Sequence, residues 1–319
     1  MNDAQLVPLG STGMQVVPMG IGTWAWGDRS TWGYGRTHTD ADLQAAFEAS
    51  LAAGINLFDT AEAYGSGQSE RLVGRFISTS QQPVMVATKF VPFPWRLRKH
   101  NLLDALRASL DRLGLKQVDL YQLHFPFPPI PIETWMDGLA DAVQAGLVRA
   151  AGVSNCSVEQ MRRAHAALAK HGVVLASNQV EYSLLHREPE RNGLKQACRE
   201  MGVTLIAYSP IRKGLLSGKY TPENRPTGTF RSSLANRDYL ARVQPLIMLL
   251  REIGQAHGGK TPSQVALNWV MCKGALPIPG AQNVRQAQEN AGALGWRLAE
   301  SEMATLDAAS DKVTSKWRW

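Results

Sequence analysis

Short apolar runs that alternate with helical patterns constrain the fold of this 319-residue chain more than any other feature. Runs of about four to eight residues, rich in β-branched side chains, are typical of buried parallel strands. Such runs occupy residues 19–23, 55–59, 84–89, 120–124, 150–154, 176–179, 204–209 and 276–279. Strands that alternate with helices imply parallel βαβ units, and this number of units predicts an α/β fold, a (β/α)8 TIM barrel, with residues 1–319 in a single domain.

Helical periodicity fills the segments between most of these runs. It is present at residues 40–53, 70–78, 102–113, 132–145, 158–170, 193–201, 264–272 and 284–291. Ahead of the first run, apolar residues 6–9 and 14–17 flank a Gly-Ser-Thr-Gly turn, which predicts an N-terminal β-hairpin that caps the bottom of the barrel.

Three connections are longer than ordinary loops in a compact domain. They cover residues 24–39, 90–99 and 210–240, and each follows a predicted strand. Loops that follow strands lie at the C-terminal face of a barrel, and loops of this length are usually functional. We therefore expect the functional site at that face.

Composition argues against several classes of function. The net charge of +7 comes from scattered Lys and Arg residues without an RNA-binding or zinc-finger motif, so we expect no nucleic-acid partner. Cys156, Cys198 and Cys272 are far apart and lack metal-type spacing, so we expect no metal. No run of about 18 apolar residues and no leader pattern is present, so we expect a cytoplasmic protein that does not bind a membrane. The basic charge is equally compatible with a polyanionic small-molecule ligand. Monomer and homo-oligomer both stay open.

Ionisable residues end three successive predicted strands. Asp59, Lys89 and His124 are the last residues of their runs, and Tyr64 follows Asp59 by five positions in a glycine-containing loop. A strand that finishes with an ionisable residue delivers it to the C-terminal rim, where TIM barrels hold their active sites. We therefore expect these side chains to converge.

These residue types suit the reduction of a carbonyl group, which needs a hydride on carbon and a proton on oxygen. Tyr64 is a possible proton donor, and we expect a nearby Lys89 ammonium to lower the pKa of its hydroxyl from about 10. Asp59 would keep Lys89 charged, and His124 would hydrogen-bond the carbonyl oxygen. Taken one at a time, each residue also has a purely structural explanation: a solvated lysine, a packed histidine, a capping aspartate or a loop tyrosine.

The sequence resembles the aldo-keto reductase superfamily from about residue 9 to residue 294. The segment LFDTAEAYG at residues 57–65 looks like its signature, and TK at 88–89, LH at 123–124, GVSN at 152–155 and IPG at 278–280 match later motifs in order. The resemblance implies that Asp59, Tyr64, Lys89 and His124 form a catalytic tetrad with Tyr64 as general acid. It also implies NADPH-dependent reduction of aldehydes or ketones to alcohols.

The resemblance further implies a set of cofactor contacts. Ser154, Asn155 and Gln179 would bind the nicotinamide carboxamide, and Tyr208 would stack on its ring. The pyrophosphate would follow Ser209, Pro210, Leu215 and Lys219, near Gly280. The adenosine end would meet Gln286, Glu289 and Asn290. Without the resemblance, the region around Gly280 is an ordinary turn and residues 286–290 are a polar helix surface.

One departure from the family pattern affects cofactor preference. Many members place a lysine near Gly280 and an arginine near Gln286 to hold the 2′-phosphate, and both positions are uncharged here. Lys219 and Arg231 are candidates for that charge, so NADPH is expected while NADH use stays open. The absence of a GxGxxG motif after the first strand argues against a Rossmann site.

Aromatic residues crowd the segments expected at the mouth of the barrel. We expect Trp24, Trp26, Trp95 and Phe125 to contact an aromatic or medium-chain carbonyl substrate. Two alternatives stay open: a regulatory subunit that binds the cofactor with little turnover, as in potassium-channel β subunits, or a specialised duty such as pyridoxal reduction or sugar-alcohol oxidation. The segment GALGWRL at 292–298 resembles photosynthetic-lineage members of the family.

Overall fold

The structure is a computed structural model that describes residues 6–226 and 236–314. Within these ranges, two short antiparallel strands precede a parallel sheet. The hairpin strands are β1 (Val7–Pro8) and β2 (Gln15–Val16). The strands of the parallel sheet are β3 (Ile21–Gly22), β4 (Leu57–Asp59), β5 (Met85–Phe90), β6 (Val118–Leu123), β7 (Val148–Ser154), β8 (Leu175–Glu181), β9 (Thr204–Tyr208) and β10 (Leu276–Ile278).

The parallel sheet closes into a barrel. Its strands pair in sequence order from β3 to β10, and every pair is parallel. The two ends of the sheet meet where the amides of Gly20 and Gly22 donate to the carbonyls of Pro277 and Pro279, at 3.0 and 2.9 Å. The predicted (β/α)8 barrel with its N-terminal hairpin is therefore confirmed.

Helices surround the barrel. They are α1 (Asp40–Ala52), α2 (Gln68–Thr79), α3 (His100–Leu113), α4 (Ile132–Gln144), α5 (Val158–Ala169), α6 (Glu188–Arg191), α7 (Leu194–Glu200), α8 (Arg237–Ala256), α9 (Pro262–Cys272), α10 (Val284–Ala291) and α11 (Glu300–Thr314). Two 3-10 helices, Tyr64–Gly67 and Arg212–Ser217, lie in the loops after β4 and β9. Capping boxes begin α1 at Thr39 and α5 at Ser157, where the cap side chain accepts from the third helical amide.

The sequence analysis missed three helices, α6, α8 and α11. Residues 237–240 of α8 fall within the predicted long loop 210–240, and the rest of α8 was left unassigned. Its buried residues Leu240, Val243, Ile247, Leu250 and Gly254 recur every three or four positions, which is the spacing of one helix face. Pro245 lies within this helix and interrupts the sequence pattern without ending the helix.

The interior of the barrel is a separate apolar layer from the one between strands and helices. Residues at alternate strand positions, such as Leu57, Leu120 and Ile206, point inward, and Leu9 and Val16 of the hairpin join the same cluster. The amide of Gly10 donates to Thr204 Oγ1 at the start of β9, at 2.7 Å. The hairpin therefore covers the N-terminal end of the barrel, and the C-terminal end is left for the functional site.

Across residues 6–226 and 236–314, the structure contains no helix with the length and apolar character needed to span a membrane.

Candidate active site

Strand alternation places the ionisable residues inside the barrel. On β4, Phe58 packs against the helices while Leu57 faces the barrel interior, and Asp59 continues that inward face. On β5, Ala87 and Lys89 share the inward face, and Lys89 pairs in register with Gln122 of β6. The inward residues at these strand ends thus form a polar layer above the apolar layer.

Lys89 is the centre of this polar layer. It is fully buried, and its ammonium donates to the Asp59 carboxylate, to the carbonyl oxygen of Thr60 at 2.8 Å and to the hydroxyl oxygen of Tyr64 at 3.4 Å. An ammonium has three donors, so these contacts account for all of them. Burial lowers the pKa of Lys89, but the Asp59 carboxylate and the Tyr64 hydroxyl together raise it by more, and the net shift is upward. Lys89 is therefore charged.

Tyr64 reaches this layer from the loop after β4. Gly65 and Ser66 adopt left-handed φ angles of 55° and 54°, an uncommon conformation for serine, and they turn the chain sharply beside the tyrosine. Burial raises the pKa of Tyr64 more than Lys89 lowers it, so the net shift is upward. The expectation of a lowered pKa is therefore wrong for this structure, because desolvation outweighs the ammonium. Tyr64 holds its proton at neutral pH.

His124 lies directly after β6 and beside Tyr64. Their rings meet edge to face with centroids 5.8 Å apart, and the backbone amide of His124 donates to the carbonyl of Phe90 at 2.8 Å. Burial, with a contribution from Lys89, lowers the pKa of His124 to about 3. The imidazole is neutral, and its buried Nδ1 has no hydrogen-bond partner among the described residues.

The second carboxylate oxygen of Asp59 contacts two glutamines. Gln179 Nε2 donates to it at 2.8 Å and Gln122 Nε2 at 3.3 Å. Gln179 was predicted as a cofactor contact, whereas Gln122 was missed. Its position two residues before His124, on the inward face of a predicted strand, was the available signal.

The residues predicted to bind the carboxamide lie together at the ends of β7 and β8. Ser154 Oγ donates to the backbone carbonyl of Gln179 at 2.8 Å, and Asn155 Nδ2 donates to the carbonyl of His124 at 3.1 Å. The Tyr208 hydroxyl donates to Asn155 Oδ1 at 3.1 Å. Burial raises the pKa of Tyr208 to about 12, so this hydroxyl is protonated. Hydrogen bonds therefore link Asn155 and Tyr208 to His124, and Ser154 to Gln179.

The predicted pyrophosphate residues line the loop after β9. Ser209 has a left-handed φ of 51°, Leu215 is buried in the 3-10 helix, and Lys219 is exposed with its ammonium 4.7 Å from the ring centroid of Tyr220. Pro210 joins Ser209 to this helix. Arg231 lies outside the described residues.

The predicted adenosine residues lie on α10, across a turn from Gly280. Gln286 Oε1 accepts from the amide of Gln282 at 2.9 Å, and Asn290 Nδ2 donates to the carbonyl of Gly280 at 3.2 Å. Glu289 accepts a hydrogen bond from the Thr261 hydroxyl. Each of the three side chains is thus already bonded within the protein, and Asn290 holds the Gly280 turn against its helix.

The predicted substrate residues separate into two groups. Trp24 is partly buried with its ring 6.5 Å from that of Tyr64, and Phe125 stacks on His124 at 4.4 Å. Trp95 is 72% exposed and stacks on Phe93. These three lie beside the polar layer or in the loop after β5.

Trp26 does not belong with them, and its prediction as a substrate contact is corrected. Its side chain is fully buried and packs against Phe58 and Phe76 in the layer between strands and helices. Its indole nitrogen donates to the carbonyl of Ala281 at 2.8 Å. Residues 24–27 form a turn, with the Trp26 amide donating to the Thr23 carbonyl at 2.8 Å, and this turn separates the Trp24 side chain at the mouth from the Trp26 side chain in the core.

A charged pair that the sequence analysis missed joins two loops at the mouth. Glu62, two residues before Tyr64, accepts from the amide of Val91 at 2.7 Å and receives both terminal nitrogens of Arg96. Both side chains are largely buried. Since Arg96 follows Trp95 directly, this pair ties the exposed aromatic loop to the loop that carries Tyr64.

Among residues 6–226 and 236–314, no group of three or more His, Cys, Asp or Glu side chains is placed to hold a metal ion. Cys156 and Cys198 are buried thiols, and burial raises the pKa of each to about 12.

The chain was compared with known proteins. It is 46% identical over 310 residues to the chloroplastic pyridoxal reductase of Arabidopsis thaliana, which covers 93% of this chain and 84% of the relative. A thermostable aldo-keto reductase crystallised with the inhibitor epalrestat matches with a TM-score of 0.79 and 33% identity, over 95% of this chain and 99% of its own. An aldo/keto reductase from Klebsiella pneumoniae, in complex with NADP and acetate, matches with a TM-score of 0.74 and 29% identity over 94% of each chain.

A model of the aldo/keto reductase family matches residues 18–311, which is most of the chain. This match, the identity to curated relatives and the arrangement of Asp59, Tyr64, Lys89 and His124 agree with one another, and the chain belongs to the aldo/keto reductase family of oxidoreductases.

Proposed function

We propose that this protein reduces the carbonyl group of an aldehyde or ketone to an alcohol, with NADPH as reductant and Tyr64 as proton donor. One observation carries the proposal. The ammonium of Lys89 contacts both the Asp59 carboxylate and the Tyr64 hydroxyl, directly beside a neutral His124. This set offers a proton to a carbonyl oxygen and a neutral hydrogen-bond partner for the same oxygen.

We propose a role for each side chain from its contacts. The Tyr64 oxygen accepts a hydrogen bond from Lys89, so its own proton is left for the substrate oxygen. As that proton leaves, negative charge develops on the phenolate, and the ammonium stabilises it. Asp59 keeps Lys89 charged, and His124 in its neutral form donates from one ring nitrogen to the substrate oxygen.

When bound, NADPH supplies the hydride. The residues present fit this cofactor. The buried, unpaired Nδ1 of His124 needs a partner at the site, because an unsatisfied buried polar atom costs free energy. A Cβ on Gly280 would meet Gly22 O at 3.7 Å, an ordinary contact, so packing does not require glycine there and the approach of a phosphate does explain it. We propose that Ser154, Asn155 and Gln179 hold the carboxamide.

The other cofactor contacts follow the same order along the barrel. We propose that Tyr208 lies against the nicotinamide ring, that Ser209, Pro210 and Leu215 border the pyrophosphate, and that Gln286, Glu289 and Asn290 border the adenosine. Lys219 is an exposed cation of this loop and is the proposed contact for the 2′-phosphate. The Klebsiella pneumoniae relative was crystallised with NADP, which supports NADPH over NADH.

Aromatic aldehydes are the proposed substrate class. Trp24 and Phe125 flank Tyr64 and His124, and Phe127 stacks on Phe125 at 5.1 Å. Flat aromatic rings in this position favour a flat aromatic substrate. Pyridoxal, an aromatic aldehyde, is a specific candidate because the Arabidopsis thaliana relative is a pyridoxal reductase.

We further propose that residues 1–319 form one domain, which the continuous barrel supports. A cytoplasmic location stays a prediction from the sequence, and the relative from Arabidopsis thaliana is described as chloroplastic.

The test is a carbonyl screen with purified protein. Wild-type protein should consume NADPH with 4-nitrobenzaldehyde or pyridoxal, and Tyr64→Phe should bind NADPH with unchanged affinity and lose turnover by about 10²–10⁴-fold. Full activity of Tyr64→Phe would contradict the proposal. Tight NADPH binding without turnover of any carbonyl would favour the regulatory alternative.

A further inference from the structure

Asp59 is held from two sides. One carboxylate oxygen faces the Lys89 ammonium, and the other accepts hydrogen bonds from Gln179 Nε2 at 2.8 Å and from Gln122 Nε2 at 3.3 Å. An ionised carboxylate only accepts hydrogen bonds, so the Gln122 amide nitrogen must face it. Gln122 Oε1 then faces Ser177 Oγ and Gln179 Nε2, each at 3.4 Å, and both are donors.

The backbone makes room for the Gln122 side chain. Gln122 pairs with Gly152 on β7, and Gly152 pairs with Ser177 on β8, where the register shifts by one residue. A Cβ on Gly152 would lie 3.0 Å from Gln122 Cγ and 2.5 Å from Ser177 Oγ. A glycine at this position is therefore required for Gln122 and Ser177 to meet inside the barrel.

Gln122 and Gln179 differ in what else they do. Gln179 belongs to the proposed carboxamide site on β8, whereas Gln122 lies on β6, two strands away, and its side chain contacts Asp59, Ser177 and Gln179 in the protein interior. From this arrangement we infer that Gln122 is a positioning residue for the Lys89–Asp59 pair, which fixes the Asp59 carboxylate whether or not the cofactor is bound. This inference rests on the proposed function, because it acts through Tyr64.

The physical reason is the balance of charge in a buried site. Two N–H donors on one oxygen stabilise the charged carboxylate, and a charged carboxylate keeps the neighbouring ammonium protonated. Without Gln122, the buried pair moves toward its neutral form and Tyr64 loses the cation that stabilises its phenolate. The titratable groups of this layer are Asp59, Lys89, Tyr64 and His124. The pKa of His124 is about 3, so its imidazole is neutral well above that pH.

The first test is Gln122→Met, which removes the donor and keeps the length of the side chain. We expect kcat for carbonyl reduction to fall about tenfold, since a hydrogen bond to a charged group is worth about that factor. The dissociation constant for NADPH and the KM should change little. Thr88→Val is the matched control, because it also removes a buried hydrogen bond, from Thr88 to Glu70 on the outer side of β5, without touching Asp59.

A second variant gives a pH signature that lost stability does not produce. In Gln122→Glu the introduced carboxyl donates to Asp59 while it is protonated and repels Asp59 once it ionises. We expect kcat near the wild-type value at low pH and a loss of at least about tenfold as the introduced carboxyl ionises. Wild-type protein and Gln122→Met should lack this one-proton step. If Gln122→Met fails to fold, the one-proton step in the pH profile of Gln122→Glu tests the role of Gln122 by itself.

The outcomes separate the inference from the proposed function. If Tyr64→Phe retains activity, the proposed function fails and so does the inference. If Tyr64→Phe is inactive while Gln122→Met keeps the wild-type kcat, or Gln122→Glu follows the wild-type pH profile, only the role of Gln122 is overturned. An equal loss in Gln122→Met and Thr88→Val also overturns it.

Discussion

The ammonium of Lys89 lies 3.4 Å from the hydroxyl oxygen of Tyr64. Of the three contacts that the ammonium makes, this is the one with a group able to give up a proton. The other two contacts, to Asp59 and to the Thr60 carbonyl, hold the ammonium in place. Its distance to Tyr64 is therefore set by the barrel wall rather than by the mobile end of a long side chain.

Lys89→Met should abolish both activity and part of the stability, and a second substitution, Asp59→Asn, should restore the stability alone. Alone, it leaves the Asp59 carboxylate buried without its cation, at a cost of about 3–5 kcal/mol in the free energy of unfolding. Adding Asp59→Asn removes the buried charge and should restore most of that stability, while reduction stays lost because Tyr64 has no cation. Urea unfolding and NADPH consumption measure the two effects. Equal stability of the single and double variants would contradict the role of the pair.

Stability should depend on pH through His124. Its pKa is about 3 in the folded protein and about 6.5 in the unfolded chain, so the unfolded chain binds the extra proton between these values. The contribution of His124 to the free energy of unfolding is therefore complete above about pH 6.5. Below that pH it decreases by about 1.4 kcal/mol per pH unit.

His124→Phe keeps an aromatic ring against Tyr64 and Phe125 but has no group to protonate. As the pH falls from 6.5 to 5, the free energy of unfolding of His124→Phe relative to that of the wild-type protein should rise by about 2 kcal/mol, because only the wild-type protein loses stability through this residue. Chemical unfolding of both proteins at these two pH values measures the difference, because the other titrating groups cancel. A difference that does not change with pH would show that His124 titrates normally.

The sequence predicted the barrel and the convergence of Asp59, Tyr64, Lys89 and His124 because both depend on local patterns. Each apolar run that ends in Asp59, Lys89 or His124 predicts a strand and its direction. The same run predicts that the ionisable residue lies at the C-terminal rim of the barrel. The direction of the Tyr64 pKa was wrong because residue spacing shows a nearby cation but does not show how far burial removes water from the hydroxyl.

The residues that were misplaced or missed lie where the spacing of apolar residues in the sequence says little about the direction in which a side chain points. Strands buried on both faces have apolar residues throughout, so the outward direction of Phe58 is not visible in the sequence, and only the two-residue spacing from His124 indicates the inward direction of Gln122. Trp26 was assigned to the mouth because it lies in the long segment that follows the first strand, and its packing against Phe76 shows that the side chain turns into the core instead.

Trp26 and Trp24 should respond differently to the same substitution. Trp26→Phe removes the hydrogen bond to the Ala281 carbonyl and leaves space in the core, so we expect about 2–3 kcal/mol of lost stability with an unchanged KM. Trp24→Phe should change stability by less than about 1 kcal/mol and should raise the KM for aromatic aldehydes. A changed KM in Trp26→Phe with normal stability would place Trp26 back at the substrate.

Gly152 offers a test of packing inside the barrel that does not depend on the substrate. A methyl group at this position would lie 2.5 Å from Ser177 Oγ, and we expect Gly152→Ala to lower the free energy of unfolding by about 1–3 kcal/mol. Ser177→Ala removes that oxygen, so the double variant should be more stable than the sum of the single changes predicts, by about 1 kcal/mol. Strictly additive losses would mean that the two strands move apart to admit the methyl group. In that case Gln122 would also shift away from Asp59, and Gly152→Ala would lose reductase activity together with stability.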